Sequence, residues 1–196
     1  MSIRALVEKS RSCRGYNPDR AVTKEELLEL VDCARLCPSS GNIQPLKYYL
    51  SWKPEEVKSI HPLTKWARAL PQLQLPHPGM EPTAYIIICL DTEIDKSMAV
   101  FQKDVGIAAQ TMMLAASEKG LACCMIGSFQ AGALSEALQL PETILPMLVL
   151  AIGEPAEEVR LTEIQAGEST AYYRDEADVH YVPKRSLEAL VLSSED

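Results

Sequence analysis

The chain of 196 residues carries 47% hydrophobic and 23% charged residues, which is globular composition, and its length fits one domain with a sizeable core. A formal charge of −8 repels nucleic-acid phosphates and anionic lipid, and the longest aliphatic runs, AYIIICL at 84–90 and LPMLVLAI at 145–152, are too short to span a bilayer. Nucleic acid and membrane are therefore excluded as expected partners, and an N-terminus without the apolar stretch of a signal peptide gives cytoplasm as the expected location.

In chain order, Ile3, Leu6 and Val7 recur at helical spacing, and Ser10 to Arg20 breaks the pattern with Gly15 and Pro18. Thr23-Lys-Glu-Glu26 has the form of a capping box, and Leu27, Leu30, Val31 and Ala34 continue one apolar face. That helix must stop near Cys37, because Pro38 cannot continue it. Lys47 to Trp52 reads as a strand, and Pro54 to His61 as a short helix with proline in its first turn. Pro62, Pro71, Pro76, Pro78 and Pro82 imply an irregular loop or flap before the buried strand Ala84 to Leu90.

Ala99 to Lys119 is the longest helical pattern, stopped by Gly120, and its Ala and Met on several faces imply burial nearly all round, at a subunit interface as well as in the core. Leu121 to Ile126 is expected as a strand, Leu134 to Leu140 as a short helix, and Leu148 to Ile152 as the last core strand. After Gly153 the chain turns polar, with Val182, Leu187, Leu190 and Val191 as docking residues. The expectation is one domain over 1–196, with 154–196 as a C-terminal extension that frays or lies on another surface, including a partner subunit. The chain after Lys184-Arg185 has a helix-like end.

No glycine-rich phosphate cradle of the GxGxxG or GxxxxGK[ST] form is present, so a phosphate would have to be held by side chains. Arg11-Ser12-Cys13-Arg14 offers two guanidinium forks and a hydroxyl in a non-helical link, with Lys184-Arg185 at the far end of the chain; each cluster alone also reads as a solvated basic turn. His61, His77 and His180 stand in polar or proline-rich contexts without a GxSxG elbow. Cys13 is the one cysteine in a basic, loop-like setting, so a cysteine nucleophile is the weakest chemistry on offer. The six cysteines lack zinc spacing, and no metal site is expected. LCPSSGNIQP at 36–45 reads either as an elaborate helix stop or as a set of short donors and acceptors for a planar heteroaromatic ligand.

RSCRGY at 11–16, ARLCPSSGNIQP at 34–45, DVGIAAQTMMLAASEKGLACCMIGSF at 104–129 and VPKRSLEALV at 182–191 follow one another in an order that resembles the FMN-dependent nitroreductase family over essentially the whole chain. The resemblance implies an α+β fold, a central antiparallel or mixed sheet surrounded by helices, and an intertwined homodimer with FMN at the subunit interface. It implies that Arg11, Ser12 and Arg14, completed by Lys184 and Arg185, hold the FMN phosphate, ribityl chain and pyrimidine edge. Pro38, Ser39, Ser40, Asn42 and Gln44 would pack on or bond the isoalloxazine, partly from the other subunit, and Met125, Ile126, Gly127 and Ser128 would run past its N5 and O4 edge. Cys37 replaces the usual Ala, Gly15 stands where a larger residue is common, and Gly127 takes a place where some members carry Glu.

The activity so implied is NAD(P)H oxidation by ping-pong hydride transfer through flavin N5 to a flat electron-poor acceptor, a nitroaromatic or a quinone. No residue is nominated as catalytic acid or base, since the cofactor carries the chemistry. The alternatives are another flavin reaction on the same fold, such as reductive dehalogenation or flavin fragmentation, and a non-catalytic FMN-binding, redox-sensing dimer.

Overall fold

The computed structural model describes residues 2–192. Two units are distinguished: one holds the chain up to Trp66 together with Gln74–Ala156, and the other joins Ala67–Leu73 to the segment from Glu157 onward.

The first unit opens with α1 (Ile3–Lys9) and, after the irregular residues 10–23, α2 (Lys24–Arg35). The capping box forms: Thr23 Oγ1 accepts from Glu26 N at 3.2 Å, and Thr23 N donates to Glu26 Oε2 at 2.9 Å. Then come β1 (Leu46–Ser51), α3 (Pro54–Ile60), β2 (Ala84–Asp91), α4 (Met98–Glu118), β3 (Ala122–Ile126), α5 (Ala131–Ala137) and β4 (Ile144–Gly153). The four strands form one antiparallel sheet in the order β1-β2-β4-β3.

Every residue of β2 is buried, because helices cover both faces of the sheet. The strand's period of two then divides its side chains between two cores. Ala84, Ile86 and Ile88 meet α2 and α4 through Leu27, Leu30, Ala108 and Met112, while Tyr85, Ile87 and Cys89 meet Val57, Ile60, Leu134 and Tyr16. Burying each such large apolar side chain contributes about 1.5–3 kcal/mol, so this strand is the main anchor of the unit.

Several boundaries differ from expectation. β4 begins at Ile144 rather than Leu148, and it carries Pro146 inside a central strand. The ladder with β2 shifts register between Ile88 and Cys89, so that Met147 is skipped, and this bulge accommodates the missing proline N–H. α5 lies three residues earlier than expected at both ends, and Gln139 at φ 51° closes the turn after it. α4 falls where it was expected, and Gly120 at φ 80° supplies its stop.

Among the described residues, the polar region after Gly153 forms strands. In the second unit β5 (Val159–Ile164) pairs in parallel with β7 (His180–Arg185), which pairs antiparallel with β6 (Tyr173–Arg174). Tyr173 and Tyr181 stack across the ladder with ring centroids 5.0 Å apart, and the buried Arg174 side chain pairs with Glu157 and Asp178. The helix-like end expected after Lys184-Arg185 is, among the described residues, a turn over 188–190. No disulfide joins the six cysteines: Cys13, Cys89, Cys123 and Cys124 are buried, Cys37 is half-buried and Cys33 is exposed. Among the described residues no helix is long and apolar enough to cross a membrane.

Candidate functional site

The segment 11–16 is built into the first unit as an extra rail beside β3. Ser12 bridges Cys123 in parallel, and Cys13 N donates to Cys123 O at 2.9 Å. Tyr16 fixes the far end: its ring is fully buried against Gly153, and its hydroxyl donates to Cys13 O at 2.8 Å. A Cβ on Gly153 would stand 2.7 Å from Tyr16 Cδ1, so only glycine permits this approach.

Arg11 stands just before the first of these anchors and Arg14 between them, both half-buried. Arg11 Nη2 donates to Val7 O at 2.6 Å, whereas its Nε is buried and has no acceptor. Burial pulls the Arg11 guanidinium below its ordinary pKa, the direction expected for a cation taken from water without a full set of partners. Arg14 Nη1 donates to Ser12 O at 3.2 Å.

Met125 and Ile126 end β3, and Gly127 and Ser128 follow as exposed residues. Nothing lies within 4 Å of where a Gly127 Cβ would stand, so the surface beside the turn is open. The turn itself is held from the side of residues 63–65: Lys65 N donates to Ser128 O, Gln130 N to Leu63 O, both at 2.9 Å, and Thr64 bridges Phe129.

The segment 36–45 leaves α2 and enters β1. Gly41, Asn42 and Gln44 have φ of 58°, 56° and 54°, three left-handed residues within four. Residues 41–44 are exposed, and Gln44 Nε2 donates to Asn42 Oδ1 at 3.0 Å, joining the two amides. The preceding serines face the other way. Ser39 Oγ and Ser40 N both donate to Asp104 Oδ2 at 2.8 Å, and Ser40 Oγ donates to Asp104 Oδ1 at 2.7 Å. Each serine hydroxyl has one hydrogen, and both are committed to Asp104, so Ser39 and Ser40 can meet a ligand only as acceptors or through their backbone.

Asp104, on α4, is 3% exposed and was not singled out by sequence reasoning; its position on the apolar face of a helix is the signal that was present. Cys37, expected to be unusual, donates its thiol to Thr111 Oγ1 at 3.1 Å. It lines a cleft of about 160 Å³ with Pro38, Ser39, Gln44, Tyr48 and Asp104. Burial, with Cys37 and Asp104 nearby, pushes the Tyr48 phenol up to about 12.

Within one chain these groups fall into two sets. Arg11, Ser12, Arg14 and Met125 to Ser128 gather at β3, one edge of the sheet, whereas Pro38 to Gln44 lead into β1, the opposite edge. Three strand spacings separate the edges, roughly 14 Å. Lys184 and Arg185 end β7 in the second unit, both exposed, and line a cleft of about 490 Å³ there with Tyr172, Val182 and Leu190. A further cleft of about 470 Å³, walled by Trp52, His61, Glu81 and Pro82, shares no residue with either set. His61 Nδ1 lies 3.1 Å from the Tyr85 hydroxyl, and burial, opposed by Glu81, lowers its pKa. Among the described residues no group of three or more His, Cys, Asp or Glu could hold a metal ion.

Known proteins resemble this chain in sequence and in fold. A protein of Archaeoglobus fulgidus with the provisional name NADH dehydrogenase/NAD(P)H nitroreductase is 27% identical over 158 residues, covering 78% of this chain and 85% of the relative. An FMN reductase (NADPH) of Bacillus subtilis is 28% identical over 167 residues, covering 74% of this chain and 63% of the relative. The solved structure of an FMN-dependent nitroreductase from Clostridium difficile R20291 superposes with a TM-score of 0.63 at 24% identity, over 80% of this chain and 89% of that one, which shows the shared fold. The family described as the nitroreductase family matches residues 7–154, and the chain belongs to it.

Proposed function

We propose that this nitroreductase-family enzyme binds FMN and oxidises NADH or NADPH at the expense of a flat electron-poor acceptor, a nitroaromatic or a quinone. The observation that carries the reading is Arg11: a half-buried guanidinium at the edge of the sheet, with its Nε buried and lacking an acceptor, is matched by a phosphate oxygen. Arg14 and Ser12 stand beside it on the same rail, and the name of the Bacillus relative, an FMN reductase, agrees. When bound, FMN would supply the redox chemistry, taking hydride at N5 from the nicotinamide and passing it to the acceptor.

The protein's own part is to bind, orient and leave access. Arg11, Ser12 and Arg14 hold the phosphate end, joined in the proposed assembly by Lys184 and Arg185. Met125 to Ser128 pass the reactive edge of the ring, and the absence of a side chain at Gly127 leaves that face open. Pro38, Asn42 and Gln44 form the ring wall, with Ser39 and Ser40 turned inward to support it.

The two sets lie on opposite edges of one sheet, which favours a homodimer in which each flavin takes its phosphate end from one protomer and its ring wall from the other. The segment from Glu157 onward would pack on the partner.

The deciding experiment is purification followed by flavin spectroscopy and steady-state NAD(P)H oxidation with a quinone. The expected result is one FMN per chain and acceptor-dependent turnover. A colourless protein unable to take up FMN overturns the reading, while stoichiometric FMN without turnover leaves a flavin-binding dimer in its place.

A further inference from the structure

Asp104 is a buried carboxylate on α4, a helix that packs Val105 and Ala108 into the core, and it lines the cleft shared with Pro38, Tyr48 and Ala108. Taking such a charge from water is expensive unless its oxygens are satisfied, and a well-packed apolar residue there would serve the core at least as well. Both oxygens are satisfied by one short segment. Ser39 Oγ, Ser40 N and Ser40 Oγ donate to it, and Ser39 Oγ in turn accepts from Gln44 N at 3.0 Å. The result is a closed chain of hydrogen bonds from the helix to the last residue of the left-handed stretch.

That stretch would not hold its own shape. A left-handed conformation is disfavoured by about 1–2 kcal/mol for an ordinary residue, and Gln44 adopts it, two residues after Asn42, whose residue type tolerates it better. The segment supplies only two backbone bonds of its own, Asn42 N to Ser39 O at 2.8 Å and Ile43 N to Ser40 O at 3.2 Å. Its inner side is tied to Asp104, and its outer side, Gly41 to Gln44, is exposed with two amides joined. A strained, externally braced surface with unspent amide groups is prepared for a ligand before the ligand arrives, which lowers the ordering cost of binding.

We propose that Asp104 is a positioning residue for the flavin ring: it never touches FMN, but it fixes the 39–44 wall in the shape that lets Asn42 and Gln44 read the ring's polar edge. The inference rests on the FMN reading above and assigns the specificity of that site for a ring bearing alternating donors and acceptors to a buried helix carboxylate.

The test uses the full-length chain, stripped of flavin and titrated with FMN by fluorescence quenching. Asp104→Asn puts an amide where three donors converge and should raise the FMN Kd roughly tenfold or more, since a charged acceptor is lost to each of them. Ser40→Ala, a milder change that keeps the Ser40 N–H bond, should raise it by about threefold, and the two changes combined should be less than additive because they cut the same network. Asp95→Asn, an exposed carboxylate before the same helix whose contacts are with Ser97, should leave the Kd unchanged.

Two readouts separate positioning from mere stability: the visible circular dichroism of the bound flavin should change in Asp104→Asn, and amide exchange at Ser40 and Gln44 should accelerate in the flavin-free variant. A wild-type chain that binds no FMN overturns the functional reading and this inference with it. If wild type binds FMN and Asp104→Asn or, should that variant not fold, Ser40→Ala binds it equally tightly with an unaltered flavin spectrum, the inference alone is overturned, whatever the melting temperature does.

Discussion

Arg11 spends one donor on Val7 O and keeps Nε buried without an acceptor, so its contribution to an anion site is larger than that of a solvated arginine. Arg11→Ala should weaken FMN binding by about 1.5–3 kcal/mol, the usual cost of losing a charge-assisted contact, and isothermal titration with FMN reads this directly. Asp104 gives a pH dependence of known sign. Burial pushes its carboxyl up, the bonds from Ser40 and Ser39 and the nearby Lys103 push it down further, and the net position is below the ordinary 3.8. Its folded-state pKa being lower than its unfolded one, it contributes stability that is present above about pH 4 and lost as pH falls through the folded value. Melting temperatures recorded between about pH 7 and 3 should therefore fall less steeply on the acid side in Asp104→Asn than in wild type. At this scale the arginines and the Asn42/Gln44 pair were legible as residue types in loops, but the inward turn of Ser39 and Ser40 was not. Their acceptor lies 64 residues further along the chain for Ser40, and no local pattern connects a serine pair to a carboxylate on a distant helix.

The rail of residues 11–16 depends on the end of β4. Tyr16 can lie against the strand only because residue 153 has no side chain, and the ring is then locked by its bond to Cys13 O. Gly153→Ala should displace Tyr16 and destabilise the protein by about 1–3 kcal/mol, the usual penalty for overpacking, and a chemical-denaturation midpoint would show it. Because Arg14 sits two residues before Tyr16, the same variant should also bind FMN more weakly than its stability loss alone explains. Among the elements, α2, β2 and α4 were legible because each has a strong period or a clear stop: the capping box at Thr23, the unbroken run at 84–90, and Gly120. The early start of β4 was hidden by Pro146, which argues against a central strand unless a bulge is known to lie opposite. β5, β6 and β7 were missed because they are short and mostly half-exposed, with the paired tyrosines 173 and 181 as the only cross-strand signal.

For the whole molecule, the two sets of ligand-facing residues and the exposed apolar side chains point the same way. Met98, Val100 and Ile107 on α4 are 43%, 46% and 39% exposed, with Leu36 and Ile43 beside the ring wall at 70% and 44%, which is a poor surface for an isolated chain. If each site is shared, Arg11→Ala and a doubly substituted Asn42→Ala/Gln44→Ala chain should each be inactive alone yet complement one another. After subunit exchange at equal concentrations, half of the dimers are mixed and each has one intact site, so about a quarter of wild-type activity should return. No recovery would mean that each protomer builds its site alone. The sixfold cysteine content has a practical consequence of its own. Burial shields four thiols and pushes Cys89 up to about 12, Cys123 is driven up in the same way, and Cys37 is occupied with Thr111, which leaves Cys33 as the one exposed nucleophile. A maleimide dye at neutral pH would therefore attach to a single position on α2, five residues before the ring wall, and give the native chain an optical reporter on that wall without any engineered cysteine.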